Sequence, residues 1–201
     1  MRIIAGRHKG RTLAAPKGRR TRPTAARARE GLFNMLAHGS YGQDGGSAIA
    51  QTDVLEAFAG SGAFAFEALS RGARSATLLD LDELAVDTAR DNAVRLGERE
   101  TTRIRRMDAT RPRAAKRAHG LVFLDPPYGS KLGAKALQAL ALKGWIARGA
   151  LVIVEVAAGE AFQPPAGFEP LAERSFGAAR FVLMRYGGEG GAPPETASAG
   201  G

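Results

Sequence analysis

The 201-residue chain contains no cysteine. This absence excludes disulfides, thiolate zinc sites, iron–sulfur clusters and a cysteine nucleophile. Long apolar runs are missing too, since the longest, such as Leu151 to Val154, are far too short to cross a bilayer. The first residues show neither a long apolar stretch nor a small-residue cleavage site, so they predict no signal peptide. We therefore expect a soluble, cytoplasmic protein, and the length suits one domain.

Acidic side chains are almost absent from the first thirty residues. That stretch holds ten Lys and Arg against one acid, Glu30, whereas residues 31–201 hold nineteen of each sign, so the whole net charge of +9 falls at the N-terminus. A basic arm on a neutral body favours a polyanionic partner, because binding phosphates releases condensed counterions. The alternative is a solvated tail that only improves solubility. A second basic run extends from Arg103 to Arg117. It either enlarges the surface that binds the polyanion or forms a solvated strand edge and loop.

The pattern of apolar residues predicts an α/β fold. From residue 53, strands at 53–58, 76–79, 102–107, 121–124 and 150–156 alternate with helices, which implies βαβ units and a parallel sheet covered by helices on both faces. Residues 169–175 and 179–186 read as a closing antiparallel hairpin. Before this domain, residues 2–13 predict a small basic β-hairpin, and Thr24 is a candidate N-cap for a helix running to about residue 37. We expect a basic arm over 1–22, one domain over 23–186 and a disordered tail over 187–201.

A glycine turn joins the first predicted strand to the first helix of the βαβ series. Gly60 and Gly62 let a ligand approach the backbone closely, and the helix N-terminus offers unpaired amide donors. Asp80 follows Gly60 by twenty residues and ends the next strand, where an acid can accept hydrogen bonds from ribose hydroxyls. The pattern predicts a nucleoside cofactor; the alternative is a tight turn beside a helix-capping acid.

Two missing motifs narrow the choice of cofactor. The third glycine that would seat a dinucleotide pyrophosphate is absent, and no Gly-Lys-Ser/Thr string of a phosphate-binding loop occurs. S-adenosylmethionine carries no phosphate, so the shorter turn is enough for it. Asp108, after the third strand, is a candidate acceptor for the adenine amino group, or else an ordinary loop carboxylate near Arg105 and Arg106. His8, His38 and His119 have no metal-ligand spacing, and we expect no metal.

The most specific string in the chain is Asp125-Pro126-Pro127-Tyr128, which follows the fourth strand directly. The two prolines stiffen the loop. The Asp125 carboxylate and the Pro126 carbonyl can accept hydrogen bonds from an exocyclic amine, and the Tyr128 ring can stack on a base. Two acceptors on the amine favour a pyramidal nitrogen whose lone pair points at a sulfonium methyl group, so positioning and electrostatics supply most of the rate.

With these motifs placed, the chain resembles class I S-adenosylmethionine-dependent amino-methyltransferases. More narrowly, it resembles the bacterial RsmD family, which methylates N2 of the guanine at position 966 of 16S ribosomal RNA. The resemblance covers residues 2–186 and depends on three groups of strings: Arg2-Ile3-Ile4-Ala5-Gly6, Lys9-Gly10-Arg11, Arg22-Pro23-Thr24 and Arg27-Ala28-Arg29-Glu30; then Leu55 to Ala63 with Glu67-Ala68-Leu69-Ser70-Arg71; and finally Val122 to Tyr128.

The resemblance implies a Rossmann-like, seven-stranded sheet whose last strand is antiparallel. It implies cofactor contacts at Phe58, Gly60, Ser61 and Gly62, with Asp80 on the ribose, Asp108 and Ala109 near the adenine, and Thr24 and Asn34 near the methionine end. It also assigns the basic arm to RNA, through Arg2, Arg7, Lys9, Arg11, Lys17, Arg19, Arg20 and Arg22. We expect a monomer that acts on RNA within a small-subunit particle, without a membrane or a metal.

Three alternatives remain open at this stage. A DNA adenine-N6 or cytosine-N4 methyltransferase uses the same Asp-Pro-Pro-Tyr logic, but the chain leaves no room for a target-recognition domain, and a small arm is ill-equipped to flip a duplex base. Protein glutamine methylation usually goes with Asn in place of Asp125. A non-catalytic RNA-binding assembly factor would need to keep neither the glycine turn nor Asp125.

Overall fold

The computed structural model describes residues 1–15, 23–42 and 45–188, with the backbone alone for 23–26. Its elements in chain order are α1 (Pro23–His38), β1 (Asp53–Ala57), α2 (Ala63–Ser70), β2 (Ser75–Asp80), α3 (Glu83–Leu96), β3 (Thr102–Arg106), β4 (His119–Leu124), α4 (Leu132–Leu142), β5 (Ile146–Ala157), β6 (Phe168–Phe176) and β7 (Ala179–Tyr186). In this described part of the chain, no helix has the length and apolar character needed to cross a bilayer.

The strands form one seven-stranded sheet in the order β3-β2-β1-β4-β5-β7-β6. The first five are parallel, and β7 runs antiparallel between β5 and β6. This arrangement confirms the α/β fold class and the antiparallel last strand. The carboxyl ends of β1 and β4 lie side by side where the strand order changes direction, and open α/β sheets bind their ligands at such a point.

Side-chain alternation along the strands builds a separate core on each face of the sheet. Phe123 contributes to the core under α1, α2 and α3, whereas its neighbour Leu124 belongs to the core under α4. Both strand neighbours are buried because a central parallel strand is covered on both faces. Because of this alternation, successive side chains at the carboxyl end of a strand lie on opposite faces of the sheet.

The starts of α1 and β5 differ from the sequence predictions. The first helix begins at Pro23, so Thr24 lies in its first turn and is not the N-cap; proline suits that position because it lacks the amide that would have no helical partner. β5 begins four residues earlier than predicted, since Ile146 pairs with His119 across a register shift.

Gly31 lowers the intrinsic stability of α1, but it allows close packing against β6. A Cβ at this position would lie 2.2 Å from the Phe176 ring.

The N-terminal turn, residues 1–15, packs against the body of the protein. Its hairpin reduces to one antiparallel bridge between Arg2 and Thr12, while Ile3 and Leu13 are buried in the core under the first three helices. The rest of the predicted arm, residues 16–22, lies outside the described residues, as does the predicted tail apart from Gly187 and Gly188. The division into arm, domain and tail stays a prediction.

The helix α2 holds this turn through polar groups. Glu67, fully buried, accepts from the amides of Ile4 at 2.7 Å and Ala5 at 3.1 Å. The Ser70 carbonyl accepts from the Arg7 amide at 2.9 Å. Gly6 has φ of 79° and lies so close that a Cβ would stand 1.8 Å from the Ser70 oxygen, so only glycine fits there.

Candidate active site

A cleft of about 480 Å³ opens at the carboxyl ends of β1, β2, β4 and β5. Its floor is aromatic: the rings of Phe64 and Phe123 stack with centroids 4.1 Å apart. Its wall includes part of the N-terminal turn, at Met1 and Ala15. Eight of the predicted site residues line it together: Phe58, Gly60, Ser61, Asp80, Asp125, Pro126, Pro127 and Tyr128.

The glycine turn after β1 is built from residues in the left-handed backbone region. Phe58, Gly60 and Gly62 have φ of 58°, 55° and 77°. For a phenylalanine this conformation costs on the order of 1–3 kcal/mol, and such strain concentrates at ligand sites. The turn exposes backbone to the cleft and leads into the N-terminus of α2.

Asp80 fastens the glycine turn to the end of β2. Its Oδ2 accepts from the Gly60 amide at 2.7 Å, and its Oδ1 accepts from the Asp82 amide at 3.0 Å. A carboxylate has capacity for further donors beyond these two. The geometry therefore allows Asp80 to hold the turn and to accept from a ligand hydroxyl at the same time.

The Asp-Pro-Pro-Tyr loop leaves β4 opposite the glycine turn. Pro126 is buried against the start of α4, where a Cβ on Gly133 would lie 3.3 Å from its ring, whereas Asp125 is exposed at the mouth of the cleft. The Tyr128 hydroxyl donates to Oε1 of Glu155 at 2.8 Å. The loop thus presents one carboxylate and one aromatic ring, 44% exposed, on a stiff support.

Glu56 is a buried acid in the wall of the cleft, and the sequence analysis gave it no role. Its carboxylate accepts from the amides of Phe64 at 3.2 Å and Ala65 at 2.9 Å, at the N-terminus of α2. The pKa of Glu56 is raised to about 8, mainly by burial and in smaller part by the nearby Asp125 charge, against the lowering effect of these amides and of Arg29. Glu56 therefore orders the helix that follows the glycine turn.

Arg29 and Glu155 are two further cleft residues that the sequence analysis missed. The Arg29 Nε is buried without a partner among the described residues, and burial lowers the pKa of its guanidinium. Burial raises the pKa of Glu155, while the hydrogen bond from Tyr128 acts in the opposite direction. The sequence contains a signal for the two glutamates, because Glu56 and Glu155 each interrupt an apolar strand. Acidic side chains are rarely buried in such strands unless they have hydrogen-bond partners or a functional role.

Four further predicted cofactor residues, Gly62, Asn34, Asp108 and Ala109, do not line the cleft. Gly62 caps α2, and Asn34 is exposed on α1. Asp108 accepts from the amide and the hydroxyl of Thr110, both at 2.8 Å, so its carboxylate closes its own loop; Ala109 is buried in the α4-side core. The side chain of Thr24 lies outside the described residues.

The predicted RNA contacts fall into two groups. Arg2, Arg7, Lys9 and Arg11 are exposed on the N-terminal turn. Arg7 also donates from Nε to the buried Glu98 at 2.9 Å, so part of its charge is neutralised within the protein. Lys17, Arg19, Arg20 and Arg22 lie outside the described residues. Within residues 1–15, 23–42 and 45–188, no group of three or more potential metal ligands occurs.

Comparison with known proteins agrees with this geometry. The chain matches the family model described as "Conserved hypothetical protein 95" over residues 1–185. It is 32% identical to the ribosomal RNA small subunit methyltransferase D of Haemophilus influenzae, with 92% of this chain and 93% of that protein covered. The protein of the same name from Escherichia coli K12 is 37% identical, with 77% and 74% covered.

A solved structure extends the likeness to three dimensions. The chain of yhhF from Escherichia coli aligns with a TM-score of 0.76 and 32% identity, covering 94% of this chain and 99% of that one. Sequence, family model and fold thus agree over nearly the whole length. The chain belongs to the RsmD family, whose model matches residues 1–185, and it is a methyltransferase.

Proposed function

We propose that the protein transfers a methyl group from S-adenosylmethionine to the exocyclic N2 amine of a guanine in 16S ribosomal RNA. The observation that carries the proposal is that the glycine turn and the Asp-Pro-Pro-Tyr loop line one cleft. The names of the relatives point to small-subunit ribosomal RNA as the substrate. Such a substrate would place the protein in the cytoplasm, with the RNA presented in a small-subunit particle.

The residues of the cleft fit this cofactor. A volume of about 480 Å³ suits a small molecule. The side chains of Asp80 and Asp125 line the cleft and suit a sulfonium cation, whereas burial raises the pKa of the other two acids of the lining, Glu56 and Glu155. Among the described residues, Arg29 is the one cationic side chain in the lining, and its buried, unpartnered Nε suits a methionyl carboxylate. Asp80 would accept from the ribose hydroxyls.

The chemistry follows from what the loop can hold. S-adenosylmethionine, when bound, supplies an electrophilic methyl group on its sulfonium. Asp125 and the Pro126 carbonyl accept from the two hydrogens of the amine, and Tyr128 stacks on the base. The nitrogen gains the methyl as the carbon–sulfur bond breaks, and it gives up one proton, which Asp125 accepts and, being exposed, releases to water. No covalent intermediate on the protein is needed.

The test is methyl transfer from labelled S-adenosylmethionine to three substrates offered in parallel. These are small-subunit particles from a strain lacking this gene, their protein-free RNA, and genomic DNA, with each modified nucleoside identified by mass. N2-methylguanosine in the RNA samples is the expected product, and the preference between particle and naked RNA identifies the form recognised. Label found only in DNA would favour the DNA methyltransferase, and label nowhere, with cofactor bound, would favour the assembly factor.

A substitution ties the activity to the loop. Asp125→Ala should abolish turnover while leaving cofactor affinity largely intact, because Asp125 acts on the amine. Asp87→Ala, at an exposed aspartate of α3, is the matched control and should keep full activity. Turnover that survives in the Asp125 variant would remove this residue from the mechanism.

A further inference from the structure

Glu155 stands at the carboxyl end of β5, in a cleft where the transfer as described gives it no role. The register pairs Leu124 with Val154, so Glu155 lies one step further along, beside the point where Asp125 leaves β4. Ile153 belongs to the core under α1, α2 and α3, and alternation turns Glu155 toward that same face. The carboxylates of Asp125 and Glu155 therefore line the cleft from adjacent strands.

The Glu155 carboxylate is held in place by the ring that we assign to base stacking. Oε1 accepts from the Tyr128 hydroxyl at 2.8 Å, which sets the carboxylate at the edge of that ring. An ionised carboxylate has about four acceptor positions, and Tyr128 takes one of them. Suppose that a base stacks on Tyr128 and places its exocyclic amine against Asp125. The ring nitrogen beside that amine would then face Glu155.

The ring nitrogen beside the exocyclic amine distinguishes the nucleobases. In guanine, N1 carries a hydrogen and lies beside the N2 amine, so the edge offers adjacent donors. In adenine and cytosine, the ring nitrogen beside the exocyclic amine is an acceptor without hydrogen. A carboxylate therefore attracts the guanine edge and repels the other two, and hydrogen-bond readout of this kind separates bases strongly.

Resting on the proposed function, we propose that Glu155 selects guanine by accepting a hydrogen bond from N1–H while Asp125 holds the N2 amine. Glu155 is then a specificity residue of the cleft. The competing explanation is that Glu155 only positions the Tyr128 ring. The two explanations differ in what happens to a substrate that keeps the amine but lacks the N1 hydrogen.

2-Aminopurine is that substrate, since it has the amine at C2 and an unprotonated N1. The experiment measures kcat/KM for RNA carrying either guanine or 2-aminopurine at the target position, in whichever form, naked or reconstituted particle, the wild type methylates. The proteins are the wild type, Glu155→Gln and Tyr128→Phe. Glutamine keeps an oxygen for Tyr128 but adds an amide donor that matches the bare N1 of 2-aminopurine.

We expect Glu155→Gln to lower kcat/KM for guanine RNA roughly 10- to 100-fold and to raise it for 2-aminopurine RNA. Tyr128→Phe, which removes the hydroxyl contact and keeps the ring, should leave the preference for guanine over 2-aminopurine unchanged. Equal losses on both substrates in Glu155→Gln, reproduced by Tyr128→Phe, would overturn the proposal in favour of ring positioning. Unaltered thermal midpoint and cofactor affinity show that the variants are folded.

The experiment separates this inference from the function beneath it. Wild-type protein that makes N2-methylguanosine, with a Glu155→Gln variant of unchanged base preference, refutes the role of Glu155 alone. Wild-type protein that makes no N2-methylguanosine from guanine RNA refutes the proposed function, and the role of Glu155 falls with it.

Discussion

At the scale of single residues, the cleft depends on carboxylates that local donors hold in position. Two backbone amides donate to Glu56, two to Asp80, and the Tyr128 hydroxyl donates to Glu155. Because these donors come from the glycine turn, the start of α2, the N-cap of α3 and the Asp-Pro-Pro-Tyr loop, the acids also connect the loops that line the site. Preorganised acceptors of this kind need little rearrangement when a ligand arrives.

Asp80→Ala should weaken the affinity for S-adenosylmethionine by about 1.5–3 kcal/mol, since it removes the predicted hydrogen bonds to ribose and releases the Gly60 amide. Isothermal titration calorimetry measures this change directly. The control is Asp82→Ala, which removes the side-chain cap at the Leu84 amide and costs about 1 kcal/mol of stability without touching the cleft. Equal affinity in the wild type and Asp80→Ala would refute the ribose assignment.

At the scale of elements, α2 serves two ends of the site. Its N-terminus receives Glu56 and follows the glycine turn, while its Glu67 and Ser70 hold the N-terminal turn. Asn92 of α3 connects the same parts, accepting from the Ala14 amide at 2.8 Å and donating to the Ser61 carbonyl at 3.0 Å. The basic turn and the cofactor loop are therefore parts of one packed unit.

Glu67→Gln should destabilise the protein by about 1–3 kcal/mol, because an amide offers one oxygen where the carboxylate's two oxygens accept from Ile4, Ala5 and Arg71. Urea unfolding measures the change in the free energy of unfolding, and hydrogen exchange should show faster exchange at the amides of Ile4 and Ala5. Glu169→Gln, at an exposed position of β6, is the control. Unchanged exchange at both amides would contradict the anchoring role of Glu67.

At the scale of the whole molecule, the basic N-terminal turn also forms part of the wall of the cleft. Residues 1–15 carry exposed cations and also line the cleft at Met1 and Ala15. A polyanion bound to the turn would therefore pass the mouth of the site. Because Ile3 and Leu13 are part of the core, deleting the segment would damage the fold, and charge substitutions are the cleaner test.

The double variant Arg2→Gln and Lys9→Gln should reduce the salt dependence of RNA binding, lowering the slope of log K against log salt by about 1–2 units. The matched control is Lys135→Gln with Lys143→Gln, two exposed cations at α4 on the opposite face of the sheet. Filter binding or fluorescence anisotropy across a salt series measures the slopes. Identical slopes in the two double variants would mean that the turn is only a solvated surface.

Much of the architecture was predictable because its signals are local. The apolar runs, the glycine turn and the string from Asp125 to Tyr128 each act within a few residues, so the strands and the two loops were assigned correctly within a few positions. The predicted parallel sheet places the carboxyl ends of β1, β2 and β4 at one edge.

Contacts between residues far apart in the chain were decided by the tertiary structure alone. Glu67 meets Ile4 across 63 positions, and Arg7 meets Glu98 across 91. Neither pair follows from periodicity or turn chemistry, because each depends on which helix docks on which face. The same holds for Glu155, an acid that the sequence marks only as an interruption of an apolar strand. The strand order alone sets it beside Asp125.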